Sequence, residues 1–557
     1  MLAPLCKVLQ HNIMKGNSLI KRLFCALALL AILPVGAQAD LPKPNLSQQL
    51  HSLEQLLANV EHYYYEETDP VELYHGAIEG YLSKLDPHST YIRPEDLVDA
   101  QERLQGSFEG IGIFFEIVDD VLTVLSPIEG SPAYRAGLLP GDQVYRIDSK
   151  SAIGLKVTEV TDRLKGKKGT RVVVSVKRAN ESELLDFEIV RDKILVPSVP
   201  YSFMLSKDIG YVKVTRFSGR TAEELEVAVS ELIDTNAQKL ILDLRGNGGG
   251  YLEQAVAVAN LFVERGRLLV YTQGRRRSSR ENHYAKRDPL FPPDQPLIVL
   301  VDGSSASASE IVAGAVQDYD RGLVVGHTTF GKGLVQKQYS LKNRGVVLLT
   351  IARYFTPSDR PIQRPFSEDR AAYRNAAFDD YDPNVDPDST SGKPVFYTNI
   401  LKRKVYGDGG ITPDVPLVID SLNVLSRRLT HETFLAFAKR EDPTIGRVYQ
   451  DFETFFQKYH PSRPGLTAFK AFLKVRNVPF TDDEFDASSE FIQKRIKQFI
   501  AQIRWGARAE GRVRVHSDPH VEQAMALFAK AEQLLVKRAG HYNGNRTYDG
   551  DRYKQVR

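Results

Sequence analysis

The chain has 557 residues, 42% hydrophobic and 26% charged, with 73 basic against 70 acidic side chains. That length suggests several domains of ordinary soluble globular composition. A formal net charge of only +3 leaves no basic excess of the kind that nucleic-acid binding needs, and the chain has just two cysteines.

Near the start, Lys15, Lys21 and Arg22 precede an apolar run from Leu23 to Leu33, followed by Pro34 and Ala37-Gln-Ala39. These are the charged, apolar and small-residue parts of a secretory signal, so residues 1–39 are expected to be removed and the protein to be periplasmic. The apolar run is short for a membrane span, and an uncleaved inner-membrane anchor is the alternative. Met14 is a second candidate initiator. Removing residues 1–39 takes away Lys7, Lys15, Lys21 and Arg22 with no acid, which turns a formal charge of +3 into −1. Cys6 and Cys25 go with them, so the mature chain has no thiol, no disulfide and no cysteine nucleophile.

Residues 40–105 read as a helical region. Leu46, Leu50, Leu53, Leu57, Val60 and Tyr64 form a helical stripe, and a second helix is expected from Val71 to Leu85. A stripe of this kind is usually core, with a dimer contact as the second reading. Asp86-Pro-His-Ser-Thr-Tyr91 follows as a turn, in which His88 is not assigned to catalysis.

Residues 106–191 read as a small β domain. Leu122–Leu125, Gln143–Ile147 and Arg171–Lys177 are strand-like, and Val157–Leu164 suits a short helix. The order, with Gly137-Leu-Leu-Pro-Gly-Asp142 before a strand, resembles a PDZ domain. Such domains add a peptide strand to a sheet edge and capture its terminal carboxylate on backbone N–H groups, here placed at Gly110, Ile111, Gly112 and Ile113.

A larger core begins near Ile209–Val214, a strand, followed by an amphipathic helix over Ala222–Thr235 and a buried strand, Lys239–Leu244. That strand ends in Arg245-Gly-Asn-Gly-Gly-Gly250, which fails the dinucleotide spacing because Tyr251 takes the place of the third glycine. Gly326-His-Thr-Thr-Phe-Gly-Lys332 fails as a phosphate loop because Gly333 replaces the Ser or Thr that would hold magnesium.

The chemistry concentrates in Gly303–Gln336. The apolar run 296–301 is a buried strand that ends at Asp302-Gly303, and Ser304–Ser309 opens a helix predicted over Ala306–Asp318. A hydroxyl at that helix entrance could attack a carbonyl while the next N–H holds the oxyanion, although serines also cap helices routinely. Lys332, between Gly331 and Gly333, can be buried against backbone. Burial lowers a lysine pKa and makes its amine available as a base. Gln336, four positions on, could hold that amine. A Ser-His-Asp reading through Ser307 and His327 lacks an assigned acid to orient the imidazole.

Ser305-Ala-Ser-Ala-Ser-Glu310, with Gln317-Asp318, Thr329-Phe-Gly-Lys-Gly333 and Gln336, resembles the carboxy-terminal processing peptidases, the tail-specific proteases of serine peptidase family S41. The Asp86–Tyr91 turn, Arg353-Tyr-Phe-Thr-Pro-Ser358 and Gly410-Ile-Thr-Pro-Asp-Val415 match too, with Asp359 where glycine is usual and His327 where an acid is expected. The resemblance implies an α+β multidomain protein: a crotonase-like α/β S41 core over 192–420, the PDZ domain and flanking helical regions. It implies Ser307 as nucleophile, Lys332 as base and Gln336 as its orienting residue, with no metal or organic cofactor. It also implies an oxyanion hole from Ala308 and either Gly248 or Gly249, and a structural role for Asp318. The expected partners are protein substrates with unstructured or apolar C-terminal tails. A homo-oligomer and an adaptor protein are left open, and membrane association is not required. The other reading is a PDZ peptide-binding scaffold whose protease core is dormant or adaptor-dependent.

Arg275–Arg280 with Lys286-Arg287 read as a solvated basic loop, with an acidic partner as the sharper reading. Residues 364–408 form a longer polar insertion than the family pattern predicts. Residues 421–540 read as helices near 422–439, 448–459, 466–475, 484–505 and 521–538, able to pack on the core, dimerise or recruit an adaptor, with a polar tail over 541–557.

Overall fold

The computed structural model describes residues 45–178, 181–366, 369, 370, 372, 373, 375, 393–418 and 423–544. The segment expected to be a secretory signal, both cysteines, the middle of the 364–408 insertion and the tail beyond 544 lie outside the described residues. The chain divides into two units at Ala77/Ile78.

In the first unit, α1 (Leu46–Tyr63) starts at Asn45, whose side chain accepts the Gln48 N–H while Gln48 returns the bond, a reciprocal cap. None of its residues is buried, and Leu46 and Leu50 are 69% and 52% exposed. Among the described residues the leucine stripe is therefore left exposed, contrary to the usual meaning of such a pattern. α2 (Pro70–Leu82) follows and contains the Ala77/Ile78 division, ending three residues earlier than the sequence suggests.

In the second unit, the small β domain forms one antiparallel sheet in simple chain order: β1 (Ile113–Val118), β2 (Val121–Pro127), β3 (Gln143–Ile147), β4 (Arg171–Lys177) and β5 (Leu185–Val190). Alternation buries Val172, Val174 and Val176 of β4 against Val160 and Leu164 of α3 (Val157–Leu164). Strand β1 lies at the sheet edge, where a further strand could pair.

The larger core is built on a parallel sheet of β6 (Ile209–Lys213), β7 (Lys239–Asp243), β8 (Leu297–Val301) and β9 (Leu323–Gly326). Ser202–Met204 lies antiparallel on one edge and Val415–Pro416 parallel on the other. All five residues of β8 are buried because both faces are covered. One face packs α4 (Thr221–Asp234), α5 (Leu252–Ala259) and α6 (Ala308–Asp318) against Leu240, Leu242, Val299 and Val324. A second, antiparallel sheet contains β10 (Leu334–Ser340) and β11 (Val346–Phe355), with β11 also pairing Thr90–Ile92 and Leu268–Gly274.

The C-terminal region is helical and packs on both domains. α7 (His431–Val448) and α8 (Ser489–His516) share a core with Val118 at the end of β1. α9 (Pro519–Ala526) and α10 (Phe528–Gly544) place Val521, Ala524, Phe528, Ala531 and Leu534 on Ile241, Ile298, Leu300, Leu323 and Val325, the other face of the parallel sheet. Three sequence expectations are corrected. The 484–505 segment is divided at Ser488, with helix resuming past a break at Gly506 as far as His516; the 521–538 segment is broken at Leu527; and α10 carries helix into the expected tail as far as Gly544.

Candidate active site

Strand β8 delivers the chain to Asp302, whose carboxylate accepts the N–H groups of Ser304 and Ser305 and, from the neighbouring strand end, Gly246. This turn leads into Ser307, which sits at φ 54°, ψ −110° immediately before α6. A non-glycine residue there costs about 1–3 kcal/mol and persists only where its surroundings hold it. The holding group is Glu310. Its wholly buried carboxylate accepts the Ser307 N–H (2.7 Å), the Thr329 hydroxyl (2.6 Å), the Gly331 N–H (2.7 Å) and the Lys332 N–H (2.9 Å). Burial raises its pKa against the pull of those four donors.

The same carboxylate thus fixes Ser307 and Lys332 in one frame. Tyr354 of β11 adds a second tie, with its hydroxyl 3.1 Å from the Ser307 carbonyl oxygen and 2.6 Å from that of Lys332. The Lys332 side chain donates to Gln336 Oε1 at 3.0 Å. Lys332 precedes β10 and Gln336 lies within it beside a register shift, so their meeting follows from this irregular approach and not from simple strand alternation. Burial lowers the Lys332 pKa, outweighing Glu310 and Asp86, which favour the ammonium.

Gln336 is fixed in turn: its amide donates to the His88 carbonyl oxygen. His88 is held in a turn by Asp86, whose carboxylate accepts the His88 and Ser89 N–H groups, the Ser89 hydroxyl and the Thr350 hydroxyl. The His88 ring meets the Tyr373 hydroxyl at 2.9 Å. The 86–91 turn therefore acts on the site through a backbone oxygen.

On the other side, the glycine loop packs against the serine. A Cβ on Gly249 (φ +99°) would lie 2.9 Å from Ser307 Cβ and 3.0 Å from the Ala308 nitrogen. The Gly249 N–H donates to the Asn247 side chain at 2.9 Å, whereas the Gly248 and Ala308 N–H groups have no acceptor among the described residues. Asp318 pairs with Arg360 at 2.6 Å, both fully buried, and also accepts from the Ser358 hydroxyl. His327 lies 3.1 Å from the Leu417 carbonyl oxygen and faces the His520 ring. Gly110–Ile113 lie in the small β domain, where the Ile111 and Gly112 carbonyls are bonded while their N–H groups have no acceptor among the described residues.

Residues 208–370 match the profile of peptidase family S41, and residues 123–178 match a PDZ domain. A carboxy-terminal-processing protease from Bartonella bacilliformis is 38% identical over 323 residues, spanning 57% of this chain and 74% of that protein. The chain belongs to peptidase family S41. The carboxy-terminal processing protease CtpA of Bacillus subtilis is 39% identical over 302 residues, 54% of this chain and 64% of that protein. Among solved structures, a photosystem II D1 C-terminal processing protease is 25% identical, covers 68% of this chain and 89% of its own, and superposes with a TM-score of 0.36. The chain is thus a serine-type peptidase of the S41 family carrying a PDZ domain.

Glu310, Tyr354, Asn247 and Asp302 are the residues of this S41 site to which sequence reasoning gave no role. Ser307 and Glu310 have the spacing of a capping box, so the Glu310 contact with the Ser307 N–H was readable. Its reach to Thr329, Gly331 and Lys332 was not. Tyr354 carries no local signal, because its partners come from two other segments.

Proposed function

We propose that this S41 peptidase is an exported carboxy-terminal processing endopeptidase that takes unstructured or apolar C-terminal tails on its PDZ domain and cleaves with Ser307 and Lys332. The observation that carries the reading is the double tie of Ser307 and Lys332 by Glu310 and Tyr354, which brings a strained serine and a part-buried lysine into one frame. The neutral Lys332 amine takes the Ser307 proton as Oγ attacks the scissile carbonyl carbon, and the carbonyl becomes an oxyanion. The N–H groups of Gly248 and Ala308 are the donors available to it, since that of Gly249 is engaged by Asn247. Collapse breaks the C–N bond, and the Lys332 ammonium returns its proton to the leaving amine. Water then attacks the acyl-enzyme with Lys332 again as base, releasing the new carboxylate and restoring Ser307. Gln336, held by His88, keeps the amine aimed. The open N–H groups of Ile111 and Gly112 beside edge strand β1 support capture of a tail carboxylate.

A second reading, a PDZ scaffold with a dormant core, is favoured by one observation: no hydrogen bond joins Ser307 Oγ to Lys332 Nζ among the described residues. Catalytic hydrogen bonds often tighten only when substrate is bound, so this arrangement suits a resting enzyme as well. The deciding experiment treats an unstructured protein with residues 40–557 and with the Ser307→Ala form, with and without a free apolar C-terminal peptide, and follows fragments by mass spectrometry. Cleavage by the parent alone supports the peptidase, and stimulation by the peptide supports gating through the PDZ domain. Binding of peptide without cleavage by either form favours the scaffold. Export is tested by N-terminal sequencing of the cell-derived protein, with Asp40 expected first and recovery in the periplasmic fraction.

A further inference from the structure

The C-terminal helices reach the root of the glycine loop. Arg245 lies within the turn after β7, one residue before Gly246, and its guanidinium is shared between two carboxylates. It pairs with Asp243 at 2.6 Å and with Asp518 at 2.8 Å. Asp243 belongs to the core itself, fully buried and also bonded to Lys213 (3.0 Å) and the Tyr211 hydroxyl (2.7 Å). Against its burial, those cations keep it far below the ordinary carboxylate range. Asp518 comes from outside the core, at the start of α9, where its side chain also accepts the His520 N–H at 2.9 Å.

Asp518 is placed by the end of α8. Gly511 lies against the Tyr201 ring, and Arg514 donates to the Tyr201 hydroxyl. Tyr201 stacks within an aromatic group containing Phe203 and Tyr211, and Tyr211 is the residue that bonds Asp243. Arg245, Asp518, His327 and His520 border a cavity of about 670 Å³ at the carboxyl ends of β7, β8 and β9. Arg245 therefore has open space on one flank, and from the helical region Asp518 is the carboxylate that holds it there, with His520 Nδ1 3.4 Å from the same guanidinium. From Arg245 the chain passes directly to Gly246, whose N–H is bound by Asp302, and to Asn247, whose carbonyl accepts from Ala306 N–H and the Ser309 hydroxyl.

We infer that Asp518 is a positioning residue for the reaction, holding Arg245 so that the 246–250 loop keeps its pose against Ser307. The C-terminal helical region then completes the active site as well as covering the sheet. The inference rests on the assignment of Ser307 as nucleophile with the glycine loop beside it.

The test compares residues 40–557 with Asp518→Asn and Asp518→Glu by amide hydrogen exchange and by steady-state cleavage of an unstructured protein. Asp518→Asn should speed exchange in peptides spanning 246–250 about tenfold while β7 and β8 keep their protection. It should also lower kcat about tenfold, with KM changed less than about twofold, because a displaced catalytic group costs rate more than ground-state binding. Asp518→Glu should recover most of both. Unchanged loop exchange and kcat in Asp518→Asn would overturn the inference, as would a loss of protection spread evenly through β7 and β8. Cleavage surviving Ser307→Ala would instead defeat the nucleophile assignment, and the exchange data would still report whether Asp518 holds the loop.

Discussion

At the scale of single residues, the site is an exchange of strain and burial for readiness. Ser307 stands in a backbone conformation that glycine would prefer, and Lys332 is part-buried beside a carboxylate that is wholly buried. Because burial holds the Lys332 pKa below its ordinary value, this proposed base becomes neutral at a lower pH than a free lysine. kcat/KM should rise with pH through that lowered pKa and then level off, as measured on a peptide substrate under first-order conditions. Gln336 Oε1 accepts from the ammonium and so favours the charged form. Gln336→Ala should therefore move the rising limb to lower pH while reducing the plateau about 10- to 100-fold, since an unaimed base transfers protons poorly. Glu310→Gln replaces an acceptor of four bonds with a group that can accept on one oxygen only. It should cost about 2–4 kcal/mol of stability through buried donors left unpaired, seen as a lower urea midpoint, and should abolish most activity. Gly249→Ala would force a Cβ onto Ser307 at positive φ, and cleavage should be lost while far-ultraviolet circular dichroism is unchanged.

At the scale of elements, legibility followed the range of the interactions. Strand β8 announced itself as an unbroken apolar run, and α6 as small residues followed by apolar ones at helical spacing, because both signals are local. The dyad candidates were readable from a serine-rich helix start and a lysine between glycines. What fixes them was not, since Tyr354, the reach of Asp302 to Gly246 and the His88 carbonyl act across tens to hundreds of residues of sequence. The leucine stripe of α1 misled for a related reason: periodicity shows that one face is apolar and says nothing about what covers it. Helix α8 shows the opposite failure. Its pattern suggested an end near Trp505, and a break does occur at Gly506 (φ +79°, ψ −170°), yet helix resumes immediately beyond it. The break sits on the PDZ sheet, where a Cβ would lie 3.0 Å from Ser126 Oγ. Gly506→Ala should therefore lower stability by about 1–3 kcal/mol, read as a drop in Tm by scanning calorimetry, because both the dihedral angles and the neighbour oppose a side chain.

At the scale of the whole molecule, the parallel sheet explains why the C-terminal helices cannot be a detachable appendage. A parallel sheet must be covered on both faces, and the residues of β7, β8 and β9 alternate between them. Leu240, Leu242, Val299 and Val324 face the helices that carry the site, whereas Ile241, Ile298, Leu300, Leu323 and Val325 face Val521, Ala524, Phe528, Ala531 and Leu534. The family profile ends at residue 370, so the half of this packing that lies in α9 and α10 falls beyond the matched segment. A chain ended after Val418 would retain Ser307, Lys332, Gln336 and the PDZ domain and would still leave five large side chains of the sheet facing water. It should be recovered largely insoluble, and its soluble fraction should bind an apolar dye and cleave nothing. The milder Phe528→Ala should cost about 3–5 kcal/mol by emptying a buried aromatic site, while leaving the chemistry to whatever fraction remains folded. A truncated chain that stayed soluble and active would mean that the sheet tolerates an uncovered face, and the packing account of the C-terminal region would have to be abandoned.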